Sequence, residues 1–170
     1  MNYFKFRSKI LYYKLAQTKT KKFSKILVTI DGSQPSIDAA DYAIEIAKND
    51  NSQLIALTVL NTATPRRLSS SFITAPTYGL KELEEERTKA QQWLDKIAKR
   101  SKEENNIQCK TEIVESSMPV EGTIVDYAEH ENIDLIVIGT RGRSGFKKML
   151  LGSVASGVVT YADCPVLVVK

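Results

Sequence analysis

Leu135-Ile136-Val137-Ile138 runs straight into Gly139-Thr140-Arg141-Gly142-Arg143-Ser144-Gly145-Phe146-Lys147-Lys148-Met149-Leu150-Leu151-Gly152-Ser153. Four consecutive aliphatic residues make a buried strand, and the glycine-rich, basic segment after them reads as a loop that opens a helix. Five of the eight glycines in the chain fall between Gly139 and Gly157. Glycine lets backbone N–H groups approach an anion closely, and a helix start adds the positive end of its dipole. Strand, glycine loop and helix together are a phosphate-binding arrangement.

Outward from that stretch, strands and helices alternate. Residues 25–30 form a short β-rich run, read as the first and central strand. Asp31-Gly32-Ser33 breaks it; Ser33 suits a helix cap, and Pro35 sits early in the helix, where its missing N–H is harmless. Ile37, Ala40, Ile44 and Ala47 then recur at helical spacing. Residues 53–60 read as strand 2. Residues 61–79 are a long Ser/Thr/Pro-rich connection of the kind used for lids and interaction segments. Residues 80–102 are a charged helix with Leu83, Ala90, Leu94 and Ile97 inward, and its acidic start at 82–86 suits the helix dipole. Ile107, Cys109, Thr111 and Ile113 alternate with polar neighbours in strand 3, residues 107–115. A short helix at 119–131 turns Ile124, Val125 and Ala128 to the sheet, residues 134–138 are strand 4, 153–162 a helix and 165–169 strand 5. Such alternation predicts an α/β fold: a parallel sheet with helices on both faces and right-handed crossovers.

The 170 residues, 42% hydrophobic and 26% charged, are one domain with an ordinary soluble composition. The net charge of +4 is unevenly placed: residues 1–25 carry eight Lys/Arg and no acid, while 26–170 carry sixteen Lys/Arg against twenty Asp/Glu. We therefore divide the chain into a basic N-terminal extension, 1–24, and a domain, 25–170. The domain's slight acidity argues against nucleic acid as its partner. The extension mixes Tyr3, Phe4, Phe6, Ile10, Leu11, Tyr12 and Tyr13 with lysines, and lacks the continuous apolar run and cleavage site of a secretory signal. Two readings stand for it: a tail packed on the domain or on a partner, or an arm that touches an anionic membrane or serves as a transit peptide. Cys109 and Cys164 have no metal-ligand spacing and read as buried thiols in a reducing, cytoplasmic compartment. No apolar run approaches the ~20 residues that span a bilayer.

The loop is neither a Walker A motif nor a dinucleotide fingerprint, since the chain contains no Gly-x-Gly and no Gly-Lys-Ser/Thr in register. What stands is Gly139, two residues, Gly142, nine residues, Gly152, Ser153. With Asp31 ending the first strand and Cys164-Pro165-Val166-Leu167-Val168-Val169 at the C-terminus, this pattern resembles the ATP-binding branch of the universal stress protein family. The resemblance covers about residues 25–170.

It implies a five-stranded open parallel sheet of order 3-2-1-4-5, a Rossmann-like fold for adenine nucleotides. In that order strands 1 and 4 are neighbours, so Asp31 and Gly139 meet at the switch point where open α/β sheets bind ligands. The resemblance implies Thr29, Ile30 and Asp31 on the pocket floor. Leu54 would offer backbone hydrogen bonds to adenine, and Ile138 would pack on base or sugar. Gly139 and Gly142 would lie under ribose and phosphates, Arg141 nearest the phosphates, and Gly152, Ser153 and Val154 on phosphate oxygens. Ala155 replaces the hydroxyl that some members carry. For Asp31 two roles stay open: capping the following helix, or contacting ribose hydroxyls or a phosphate-bound Mg²⁺. The ligand is ATP, ADP or AMP. The family also implies a homodimer through strand 166–169. The single histidine, His130, stands among Glu129 and Glu131 away from the loop, and no nucleophile–His–acid set forms around it. Slow ATP hydrolysis, or none, follows, in a regulatory protein of the stress response. The competing reading is a nucleotide-independent homodimeric interaction module of the same fold.

Overall fold

A computed structural model describes residues 23–62, 77–141 and 151–170. Most of the N-terminal extension, the connection at 63–76 and the loop at 142–150, with Gly142, Arg143, Gly145, Lys147 and Lys148, lie outside the described residues. Five strands, β1 (Lys25–Thr29), β2 (Gln53–Asn61), β3 (Cys109–Ser116), β4 (Leu135–Gly139) and β5 (Val166–Val169), alternate with four helices. These are α1 (Gln34–Asp50), α2 (Thr77–Asn105), α3 (Val120–His130) and α4 (Ser153–Tyr161). The sheet is wholly parallel in the order β3-β2-β1-β4-β5, as expected.

Near-continuous apolar strands are what a parallel sheet covered on both faces demands. Ile26 and Val28 of β1, Leu54 and Ala56 of β2 and Leu135 and Val137 of β4 pack under α1 and α2 with Ala39, Ala43, Ala47, Leu94 and Ile97. The alternate residues Leu27, Ile55, Leu57, Ile136 and Ile138 pack under α3 and α4 with Ile124, Ala128, Ala155 and Val158. Burying each large side chain in these layers stabilises by about 1.5–3 kcal/mol. Five buried hydroxyl residues among those described are paired to backbone: Ser36, Ser52, Thr58, Ser101 and Thr123 donate to the carbonyls of Ser33, Phe23, Ile30, Ile107 and Pro119.

Phe23 and Ser24, assigned to the extension from the sequence, are tied into the domain. The Phe23 amide donates to Asp50 at 3.0 Å, and the Ser24 and Lys25 amides share Asp134 Oδ2 at 2.9 and 3.0 Å. Cys109 and Cys164 are free and half-buried. Burial pushes the Cys109 thiol up to about 11 and raises that of Cys164 as well. Among the described residues no helix is long and apolar enough to cross a membrane.

Candidate functional site

Parallel strands all leave the sheet at one edge, and there β1 and β4, hydrogen-bonded side by side, hand over to Asp31 and Thr140. A crevice of about 240 Å³ opens at this switch point. Its floor is Thr29, Ile30, Leu57 and Ile138, and its rim holds Asp31, Gly139, Thr140 and Arg141 facing Gly152, Ser153 and Val154 of α4. The expected Thr29, Ile30, Asp31, Ile138, Gly139, Arg141, Gly152, Ser153 and Val154 thus converge on one cavity.

Leu54 does not join them. Expected beside the adenine, it pairs with Ile26 and Cys109 at the other end of the sheet and is fully buried in the core. The register is the reason: Thr29, the last residue of β1, stands opposite Leu57, so β2 reaches the crevice only three residues later. Leu57 and Val59 take that side, with Val120 and Ile124 of α3 beyond them. Leu57 and Val59 were missed because a parallel register is not written in local periodicity, and Val120 and Ile124 because they read as the ordinary sheet-facing side of a helix.

The β1–α1 turn is internally bonded. Asp31 Oδ1 accepts the Ser33 amide at 3.0 Å and the Ser33 hydroxyl at 2.5 Å. That hydroxyl also lies 3.2 Å from the Arg141 carbonyl, which ties the turn to the end of β4. Asp31 is therefore not the side-chain cap of α1: Ser33 holds the N-cap position, and its own carbonyl takes the Ser36 and Ile37 amides. Among the described residues Asp31 Oδ2 accepts no hydrogen bond, and the residue lines the rim of the crevice.

The opposite wall is the start of α4. Gly152 is its N-cap, with φ −69° and ψ 160°, and gives no side-chain cap. The Gly152 amide donates to the Thr140 carbonyl at 2.7 Å, and the Thr140 amide to the Val169 carbonyl at 2.6 Å. The first-turn N–H groups of Ser153 and Val154 are left without intrahelical acceptors, as at any helix start that lacks a side-chain cap. Arg141 adds a cation whose buried Nε has no partner among the described residues. A buried donor left unpaired costs about 1–3 kcal/mol, and the Tyr127 hydroxyl, which does not line the crevice, is likewise without a partner among the described residues.

His130 is exposed at the end of α3, its ring nitrogen 2.8 Å from the Asp126 carbonyl. That bond raises its pKa, and it takes no part in the crevice. No cluster of three or more metal-ligating side chains occurs among the described residues.

The family model described as the universal stress protein family matches residues 22–170. A universal stress protein of Methanocaldococcus jannaschii, MJ0531, is 40% identical over 150 residues, covering 87% of this chain and 82% of that protein. The solved universal stress protein UspA of Lactobacillus plantarum is 30% identical, covers 88% of this chain and 99% of its own, and superposes with a TM-score of 0.74. A universal stress protein of Archaeoglobus fulgidus, solved in complex with dAMP, shares the fold at 20% identity and a TM-score of 0.58, covering 88% of this chain and 99% of its own. With its five-stranded order and its crevice between β1 and β4, the chain belongs to the universal stress protein family.

Proposed function

We propose that the crevice binds an adenine nucleotide, ATP with Mg²⁺ or its ADP or AMP relatives, and that the protein is a nucleotide-responsive regulator in the stress response. The observation that carries this reading is the convergence, from β1, β4 and α4, of a carboxylate oxygen and a buried guanidinium nitrogen that have no partner among the described residues, and a helix start without a side-chain cap. Apolar Leu57, Val59, Val120 and Ile138 supply a surface for the base, and the helix start and Arg141 supply one for phosphate. The dAMP held by the Archaeoglobus fulgidus protein of the same fold is consistent with this choice of ligand. Catalysis is a minor part. The lining residues include no histidine and no base beyond Asp31, and positioned charge without a water-orienting group gives slow phosphoryl transfer. The test is nucleotide content and stabilisation together. Protein denatured after purification is expected to release adenine nucleotide, or the empty protein to melt higher with Mg·ATP, by about 2.7 kcal/mol of added stability at a hundred times Kd. An empty protein with no shift at millimolar ATP would leave the interaction-module reading in its place.

We also propose that the protein is a homodimer joined through β5. That strand is one of the sheet's two edges, and Val166, Leu167 and Val168 are only half-buried there. A bare apolar edge is an aggregation hazard that strand pairing removes. Val168→Pro, which deletes one ladder donor, is expected to give monomer or aggregate by light scattering. An unchanged dimer would exclude this edge as the interface.

A further inference from the structure

The single tryptophan of the chain, Trp93, stands on α2 and does not line the crevice. It is half-buried against the core layer shared by α1 and α2. Its six-membered ring lies against the β1–α1 turn. Gly32 has φ +81°, a conformation costly for any side chain. A Cβ built there would also fall into the indole, against Cζ2 and Cε2 and 2.8 Å from Cδ2. The six-membered ring therefore rests directly on the Gly32 backbone.

On its other side the same turn is held by the end of β4. The Ser33 hydroxyl reaches the Arg141 carbonyl, and the backbone of Pro35 and Ser36 crowds Gly139. The turn that carries Asp31 and Ser33 is gripped between an aromatic plate from α2 and the last residues of β4. An unsupported glycine turn samples many conformations, and the Asp31–Ser33 pair needs one of them.

We propose that Trp93 is a positioning residue for the crevice: its indole clamps the Gly32 turn so that Asp31 and Ser33 hold the arrangement a nucleotide meets, an inference that rests on the nucleotide reading above. It touches no ligand and acts through the turn. A purely structural core residue would lower stability without loosening this corner in particular.

The first measurement needs no ligand. Amide hydrogen exchange by NMR on the full chain reads the Ser33 N–H, whose acceptor is Asp31. Trp93→Leu is expected to speed Ser33 exchange by about tenfold or more while Val158 in α4 exchanges as before. Trp93→Phe keeps one ring on Gly32 and is expected to raise it by about threefold, which keeps the test open should the leucine variant not fold. The second measurement is calorimetric titration with Mg·AMP. Trp93→Leu is expected to weaken binding by about tenfold, and Ile97→Ala, a core loss on the same helix away from the turn, to leave it near wild type. Unchanged Ser33 exchange in both Trp93 variants overturns the clamp, as does equal weakening by Ile97→Ala. Faster Ser33 exchange in a protein whose wild type binds no nucleotide upholds the clamp and sinks the nucleotide reading alone.

Discussion

Gly139→Val is expected to unfold the protein at a markedly lower temperature and to abolish nucleotide binding. A side chain at this last residue of β4 would place its Cβ 2.7 Å from the Pro35 carbonyl carbon, 2.8 Å from its oxygen and 2.9 Å from the Ser36 nitrogen. These are backbone atoms in the first turn of α1, so no rotamer change relieves the clash. Closeness is the reason for the glycine here, since its φ lies outside the left-handed region that makes Gly32 obligatory. Overpacking of this kind costs about 1–3 kcal/mol for added methyl groups, and valine against backbone sits at the upper end. For a domain of this size about 3 kcal/mol lowers Tm by roughly 6–12 °C, to be read by calorimetry. Alanine in the same place is expected to fall between valine and wild type. The binding loss follows from the same displacement: pushing α1 off β4 carries Ser33 away from the Arg141 carbonyl and opens the rim. A valine variant with wild-type Tm would show that the two elements are not packed as described.

Arg141→Ala is expected to weaken Mg·ATP binding by about 10- to 100-fold, the value of one charge-assisted hydrogen bond of about 1.5–3 kcal/mol. The guanidinium Nε is buried without a partner among the described residues, so the empty protein is expected to keep its Tm or gain slightly. The direction across ligands is as informative as the size. Adenosine, which brings no phosphate, is expected to bind the variant and the wild type alike. Binding of ATP by the wild type is expected to fall with added salt, and less steeply in the variant. Equal losses for adenosine and ATP would place Arg141 in the shape of the cavity rather than on phosphate.

Much of the architecture was legible because each element carried its own period and punctuation. Ile37, Ala40, Ile44 and Ala47 marked α1, and all but the half-buried Ile37 are buried there. The strand ends were harder. The charged helix, expected over 80–102, runs from Thr77 to Asn105 and is closed by Asn106 at φ 54°. Asn51 and Asn132 close the other two long helices in the same left-handed conformation, at φ 57° and 53°. Asparagine tolerates that geometry through its short polar side chain, and these three were available as stop signals. The strand order came from the family resemblance, because the local pattern of a buried strand says nothing about its neighbour.

The site divides in the same way. Asp31, Gly139, Gly152 and Ser153 were visible as residues whose chemistry or flexibility marks a strand end or a helix start. Leu57, Val59, Val120 and Ile124 were invisible because they look like ordinary core; the register of β2 brings the first two to the crevice, and the packing of α3 on the sheet brings the others. Leu54 was misplaced by three residues of β2 for that reason. Trp93 belongs with the hidden group: its contact with Gly32 joins positions 61 residues apart through tertiary packing alone.

Where a nucleotide sits is best read directly by NMR, titrating ¹⁵N-labelled full-length protein with Mg·ATP and with AMP. An adenine nucleotide in the crevice predicts saturable shifts centred on the amides of Ile30, Asp31, Thr140, Ser153 and Val154, with the far end of the sheet, Lys25, Leu54 and Asp134, undisturbed. Saturable shifts centred elsewhere, or none at millimolar nucleotide, would contradict it.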